Sequence, residues 1–142
     1  LYAAARAQHV EEKILPALVE GKTVLCDRFI DSSIAYQGYG RGLGEAVAAV
    51  NAIATGGKAP DLTIFLDISP ADGMARKQQQ DGHALDRLEQ ESLAFHELVY
   101  EGYLRLAAEN PSRIAKIDAT KPADAVFAEI QGYLDRLLGG IL

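Results

Sequence analysis

Asp27 and Arg28 follow a short apolar run, Thr23-Val24-Leu25-Cys26, and precede Phe29 and the stretch Asp31-Ser32-Ser33-Ile34-Ala35-Tyr36-Gln37-Gly38. The run predicts a buried strand whose carboxyl end presents an acid and a guanidinium. That is where open α/β sheets bind their ligands. A strand-end Asp can hold a hydrated magnesium ion, and the adjacent Arg can grip a phosphate with two N–H groups. Alone, the pair is better read as an ordinary ion pair or strand-end cap, and the residues that follow change this. Ser32, Ser33, Tyr36 and Gln37 lie on adjacent turns of one short helix, so several can face one cavity. They also fit a hydroxyl-rich helix start with Tyr36 in the core. Tyr2 and Arg6, four residues apart, share a helix face. They suit either base recognition or an exposed cation–π contact.

Further along, Arg76, Lys77 and Arg87 flank a polar, glycine-containing stretch. Arginines on a mobile lid neutralise charge on a transferring phosphoryl group. The alternative is a solvated loop with helix-end charges. Asp118-Ala119-Thr120-Lys121 reads as a ligand-contacting loop at a sheet edge or as a strand-to-helix cap. His9, His83 and His96 lack metal-ligand spacing. No Gly-x-x-x-x-Gly-Lys occurs in the chain, so it carries no phosphate-cradling loop of its own.

These residues need a scaffold, and the chain alternates helical and strand patterns. Leu1 to about Glu20 has helical periodicity, stops at Gly21, and contains Pro16, which should kink it. A helix over 31–37 should end where Gly38, Gly40, Gly42 and Gly44 crowd together. Glu45 to Thr55 reads as a helix, and Leu62 to Asp67 as a second buried strand. Ser69-Pro70 has the form of an N-cap and first helical residue. A long amphipathic helix is expected over about 85–109, with Leu88, Phe95, Leu98, Val99, Tyr103 and Leu106 facing inward. Ile114 to Ile117 reads as a third strand, and Pro122 to Leu138 as the last helix. Strands alternating with helices predict a parallel sheet.

The 142 residues suffice for one domain, and no linker divides them. A net charge of −6 gives no general basic face for nucleic-acid polymers or an anionic membrane surface, and no apolar run is long enough to span a bilayer. The single cysteine, Cys26, reads as a small core residue, in keeping with a reducing compartment.

The ordered set Leu-Tyr-Ala-Ala-Ala-Arg (1–6), Asp27-Arg28-Phe29, Ser32 to Gly38, Pro60-Asp61-Leu62-Thr63, Leu66-Asp67, Asp86-Arg87-Leu88-Glu89 and Ile117-Asp118-Ala119 resembles the thymidylate kinases. These are the dTMP kinases among the P-loop nucleoside monophosphate kinases. The resemblance implies a three-layer α/β/α fold around a parallel sheet of order 2-3-1-4-5. It implies a single domain over 1–142, the carboxyl-terminal two-thirds of such a kinase, with a lid at about 76–87. The first two strands and the phosphate loop would be missing, so this sequence alone is not expected to fold stably as a monomer. A cooperative melt of the isolated 142-residue monomer would contradict that expectation.

Residue by residue, the resemblance implies that Tyr2 stacks on thymine and Arg6 bonds its carbonyl edge. Arg28 would bind the 5′-phosphate of dTMP. Ser32, Ser33 and Gln37 would line the base pocket, with Ser33 or Gln37 reading the pyrimidine edge, and Tyr36 would lie against the deoxyribose. Asp27 would position Mg2+. Arg76 would stabilise the moving phosphoryl group, and Arg87 and Glu89 would close over the site. Ala119, Thr120 and Lys121 would touch the adenine of ATP. A cytoplasmic homodimer is implied. Gln78-Gln79-Gln80 stands where many bacterial relatives carry further arginines. Two other readings stand beside this one. One is a related kinase for another nucleotide or deoxynucleoside. The other is a non-catalytic nucleotide-binding or dimerisation protein.

Overall fold

The computed structural model describes residues 1–80 and 91–139, with no account of the Gln79 and Gln80 side chains. The chain forms two compact units, Leu1–Ala59 and Pro60–Leu142. The first is helical. Helix α1 (Tyr2–His9) passes into a widened π-helical turn, Val10–Ile14, and then α2 (Leu15–Val19). Pro16 explains the widening. It has no N–H, and its ring collides with the carbonyl four residues back in a regular helix. The Leu15 amide accordingly bonds the Val10 carbonyl, five residues back. Gly21, at φ 75°, ends α2. Its amide bonds the Leu18 carbonyl at 2.9 Å and that of Lys22 bonds Ala17 at 3.0 Å, a paired closure that satisfies the last carbonyls.

Two expectations fail in this unit. Residues 23–26 are not a strand, since nothing among the described residues pairs with them, and Leu25 is 98% exposed. A strand is defined by its ladder partner, which an apolar run cannot supply for itself. Cys26 is accordingly half-buried rather than core. The glycines do not stop the next helix at residue 37 either. Helix α3 (Ile30–Ser33) continues as a π-helical stretch, Ile34–Gly40. Gly38 is buried there, and a Cβ on it would meet the Gly44 carbonyl at 3.4 Å. That is close to ordinary van der Waals contact, so glycine is tolerated in this helical stretch at its usual cost of about 1 kcal/mol. Helix α4 (Ala46–Ala54) follows and closes at Gly56 and Gly57, both with positive φ.

The second unit is α/β, as the alternating pattern implies. Strands β1 (Thr63–Asp67) and β2 (Ile114–Asp118) pair in parallel, from Thr63↔Ile114 to Asp67↔Asp118. Helix α5 (Pro70–Gln80) follows β1, and α6 (Leu93–Glu109) leads back to β2. Ser69 caps α5, its Oγ accepting the Asp72 amide at 3.1 Å. Ser92 caps α6, so that helix starts at 93, later than its periodicity suggests, and the stretch 81–90 lies outside the described residues. Phe95, Val99 and Leu106 are buried on α6, whereas Leu98 is 47% exposed and does not join them. Ile114, Ala115 and Ile117 supply the sheet's part of the core, and Phe65 stacks on Tyr103 at 5.2 Å. Helix α7 (Ala123–Gly139) completes the unit.

The end of β1 carries a small polar cluster. Tyr100 donates its hydroxyl to Asp67 Oδ1 and Lys116 donates Nζ to Oδ2, both at 2.7 Å. Burial pushes the Asp67 carboxyl up, but these two hydrogen bonds outweigh it and hold the group below its ordinary value. Asp67 hydrogen-bonding, then burial, raises the Tyr100 phenol. A depressed carboxyl stabilises the fold above its unfolded value of about 3.9 and loses that contribution as pH falls through the folded value. A raised phenol contributes below about pH 10 and loses its share as pH climbs past that. Urea midpoints measured against pH should therefore fall below about pH 4 in the wild type and less steeply in Asp67→Asn. Parallel acid limbs would exclude Asp67 as a source.

Candidate functional site

Arg6 is the hub of the first unit. From α1 its Nη1 donates to Ser33 Oγ at 2.9 Å and to Asn51 Oδ1, while Nη2 donates to the Phe29 carbonyl at 3.1 Å. The guanidinium also lies over the Phe29 ring, 5.3 Å from its centroid. The ring contact of Arg6 is thus with Phe29, while Tyr2, one turn away, is 69% exposed. Burial lowers the Arg6 guanidinium from its ordinary value, with Cys26 acting in the opposite direction, but an arginine stays charged at any physiological pH. Its described hydrogen-bond partners are all neutral oxygens. A half-buried cation held by neutral acceptors remains able to attract an electron-rich atom of a ligand.

Arg28 is the one non-glycine described residue with positive φ, at 67°. The left-handed region costs an L-residue about 1–2 kcal/mol, and such strain clusters where a side chain must be aimed. Here the Arg28 guanidinium is aimed over the Tyr36 ring, 4.6 Å from its centroid. Tyr36 is held in place by the π-helical stretch after α3, which also carries Gln37. The turn is braced by Cys26 Sγ, which donates to the Arg28 carbonyl at 3.5 Å. Burial pushes the Cys26 thiol up and Asp27 adds to this, against the pull of Arg6, so the thiol stays protonated and able to donate. Asp27 is exposed beside it, Ser33 is 6% exposed, and Ser32 and Gln37 are half-buried. The structure therefore brings Arg6 to Ser33 and Arg28 to Tyr36.

Asn51 was not legible as part of this site. It is 4% exposed, accepts from Arg6, and donates Nδ2 to the Val47 carbonyl at 2.7 Å. The signal available was its isolation, as the one polar residue in the helix Ala-Val-Ala-Ala-Val-Asn-Ala-Ile-Ala.

In the second unit Arg76 donates Nη1 to the Ala119 carbonyl at 2.8 Å and Nη2 to the Thr120 carbonyl at 3.3 Å. It fixes the loop after β2. Asp118 Oδ1 closes that loop by accepting the Thr120 amide at 3.0 Å and its hydroxyl at 2.6 Å, which draws the carboxyl below its ordinary value. Lys121 pairs with Glu129 at 3.2 Å. Arg87 and Glu89 lie outside the described residues. Among the described residues no three His, Cys, Asp or Glu side chains cluster to hold a metal ion, and no helix is long and apolar enough to cross a membrane.

Comparison with known proteins fixes the family. A family model described as thymidylate kinase matches residues 1–130, most of the chain. The chain belongs to the thymidylate kinase family. It is 50% identical over 135 residues to the thymidylate kinase of Clostridium novyi, covering 94% of this chain and 66% of that one. It is 56% identical over 130 residues to that of Latilactobacillus sakei, covering 91% and 61% respectively. For Enterococcus faecalis the figures are 53% over 138 residues, 96% and 65%. The chain thus spans a little under two-thirds of the length of these curated relatives.

Proposed function

We propose that the protein transfers the γ-phosphoryl group of ATP to dTMP, giving dTDP and ADP. The observation that carries this reading is the family match over residues 1–130, a span that holds Arg6, Arg28, Ser33 and Tyr36, which the fold pairs as Arg6 with Ser33 and Arg28 with Tyr36 in one unit. In the reaction an oxygen of the dTMP 5′-phosphate forms a bond to the γ-phosphorus as the bond to the ADP oxygen breaks. The protein's contribution is positioning and charge neutralisation.

In this reading Arg28 leaves the Tyr36 ring face to grip the 5′-phosphate, and Tyr36 then packs against the deoxyribose and disfavours a 2′-hydroxyl. Tyr2 stacks on thymine. Arg6 directs its remaining N–H groups to the carbonyl edge, and Ser32, Ser33 and Gln37 line the pocket. Arg76 shapes the Ala119–Lys121 loop for the adenine of ATP and is drawn to the phosphoryl group during transfer, with Arg87 and Glu89 closing over it. The single exposed carboxylate of Asp27 fits Mg2+, which keeps several waters and takes other ligands from phosphates. When bound, magnesium neutralises the nucleotide's phosphate charge. We place the protein in the cytoplasm as a homodimer. The test is a binding comparison of dTMP, dUMP, dCMP and AMP. Preference for dTMP supports the reading, and preference for another monophosphate would reassign the substrate.

A further inference from the structure

Asn51 sits in the middle of α4 with apolar neighbours, 4% exposed. A buried amide costs free energy unless both ends are bonded, and here both are. Nδ2 donates to the Val47 carbonyl at 2.7 Å, one helical turn back. That bond turns Oδ1 the other way, onto Nη1 of Arg6. The amide cannot flip without presenting its NH2 to a guanidinium, which has only donors.

The consequence falls on Arg6. A guanidinium is planar, so bonds at two of its nitrogens set the direction of every N–H. Nη1 is committed to Ser33 Oγ and Asn51 Oδ1, and Nη2 gives one hydrogen to the Phe29 carbonyl. The other Nη2–H and the Nε–H then point in fixed directions. Of these three anchors, Asn51 alone is held from the opposite side by a helix backbone. Phe29 and Ser33 belong to the segment that carries the rest of the pocket.

We propose that Asn51 is a positioning residue for the acceptor site, clamping the Arg6 guanidinium in the orientation that reads the pyrimidine ring. This rests on the functional reading above. Asn51 touches no substrate and acts through Arg6.

The test uses the protein in its natural full length. Asn51→Ser keeps the bond to the Val47 carbonyl, because a serine hydroxyl can bond back four residues along a helix, but is too short to reach Arg6. Asn51→Asp keeps the acceptor towards Arg6 and loses the bond to Val47. Asn51→Ser should raise the Kd for dTMP about tenfold, with the KM for ATP changed less than about twofold. Asn51→Asp should stay within about threefold of wild type. In an Arg6→Lys background Asn51→Ser should add little, because the clamp has lost its object. Unaltered dTMP affinity in Asn51→Ser would overturn the proposal. So would equal weakening in the Ser and Asp variants, or simple additivity with Arg6→Lys, since a purely structural role predicts those results. Failure of the wild-type protein to bind dTMP would sink the functional reading itself, and the clamp with it.

Discussion

Replacing Arg28 with glycine should abolish tight dTMP binding while leaving the fold nearly as stable as before. Two backbone effects oppose each other. Glycine accepts the φ of 67° without the strain of about 1–2 kcal/mol that arginine bears there. It also frees the unfolded chain, costing the fold about 0.5–1 kcal/mol. Loss of the stack on Tyr36 removes a little more. The net change in Tm should therefore lie within about 2–4 °C of zero. Binding has no such cancellation. A charge-assisted contact to phosphate is worth about 1.5–3 kcal/mol, so the Kd for dTMP should rise by about 10–150-fold. Calorimetry for the melt and titration for the affinity separate the two effects. Unaltered dTMP affinity would remove Arg28 from the site, and a large fall in Tm would mean that the left-handed turn serves the fold and not the ligand.

Arg6→Met should do the opposite, lowering stability and affinity together. Methionine keeps much of the length and apolar stem but donates no hydrogen bond. Asn51 Oδ1, Ser33 Oγ and the Phe29 carbonyl lose their common donor. Asn51 and Ser33 are buried, so water replaces that donor poorly, at about 1–3 kcal/mol for each orphaned group at full burial. Arg6 itself is half-buried, which lets some water in and places the total at about 2–3 kcal/mol. A urea titration should show this as a lower midpoint with an unchanged slope. A variant as stable as the wild type would mean that the three oxygens find other donors and that Arg6 is no hub.

The contrast between Arg28 and Arg6 also marks what could be read from the chain. Local signals were legible because their physics is local. Gly21 closes α2, Ser69 caps α5, and the apolar runs at 63–67 and 114–118 form the two paired strands. The run at 23–26 looks the same in sequence and is not a strand, because pairing requires a second segment. The acid-arginine pair at 27–28 stood out in the sequence, but the left-handed turn at Arg28 and its stack on Tyr36 did not, since φ follows from packing around the turn. The isolation of Asn51 in its apolar helix was visible but its partner was not, because Arg6 is 45 residues away and nothing in an alanine-rich helix says which distant cation its amide will meet. Arg76 stood out in the sequence as a cation beside a polar, glycine-containing stretch. Its bonds to the Ala119 and Thr120 carbonyls, which make it a brace for the loop after β2, join residues 43 and 44 positions apart and so depend on tertiary packing.

The most direct measurement is product formation by the protein in its natural full length, supplied with ATP, Mg2+ and dTMP and followed by phosphorus NMR. The expected result is equimolar dTDP and ADP, greatly reduced in Arg28→Gly. Hydrolysis of ATP without dTDP, or equal phosphorylation of AMP and dTMP, would contradict a thymidylate kinase whose acceptor site is built on Arg6, Arg28, Ser33 and Tyr36.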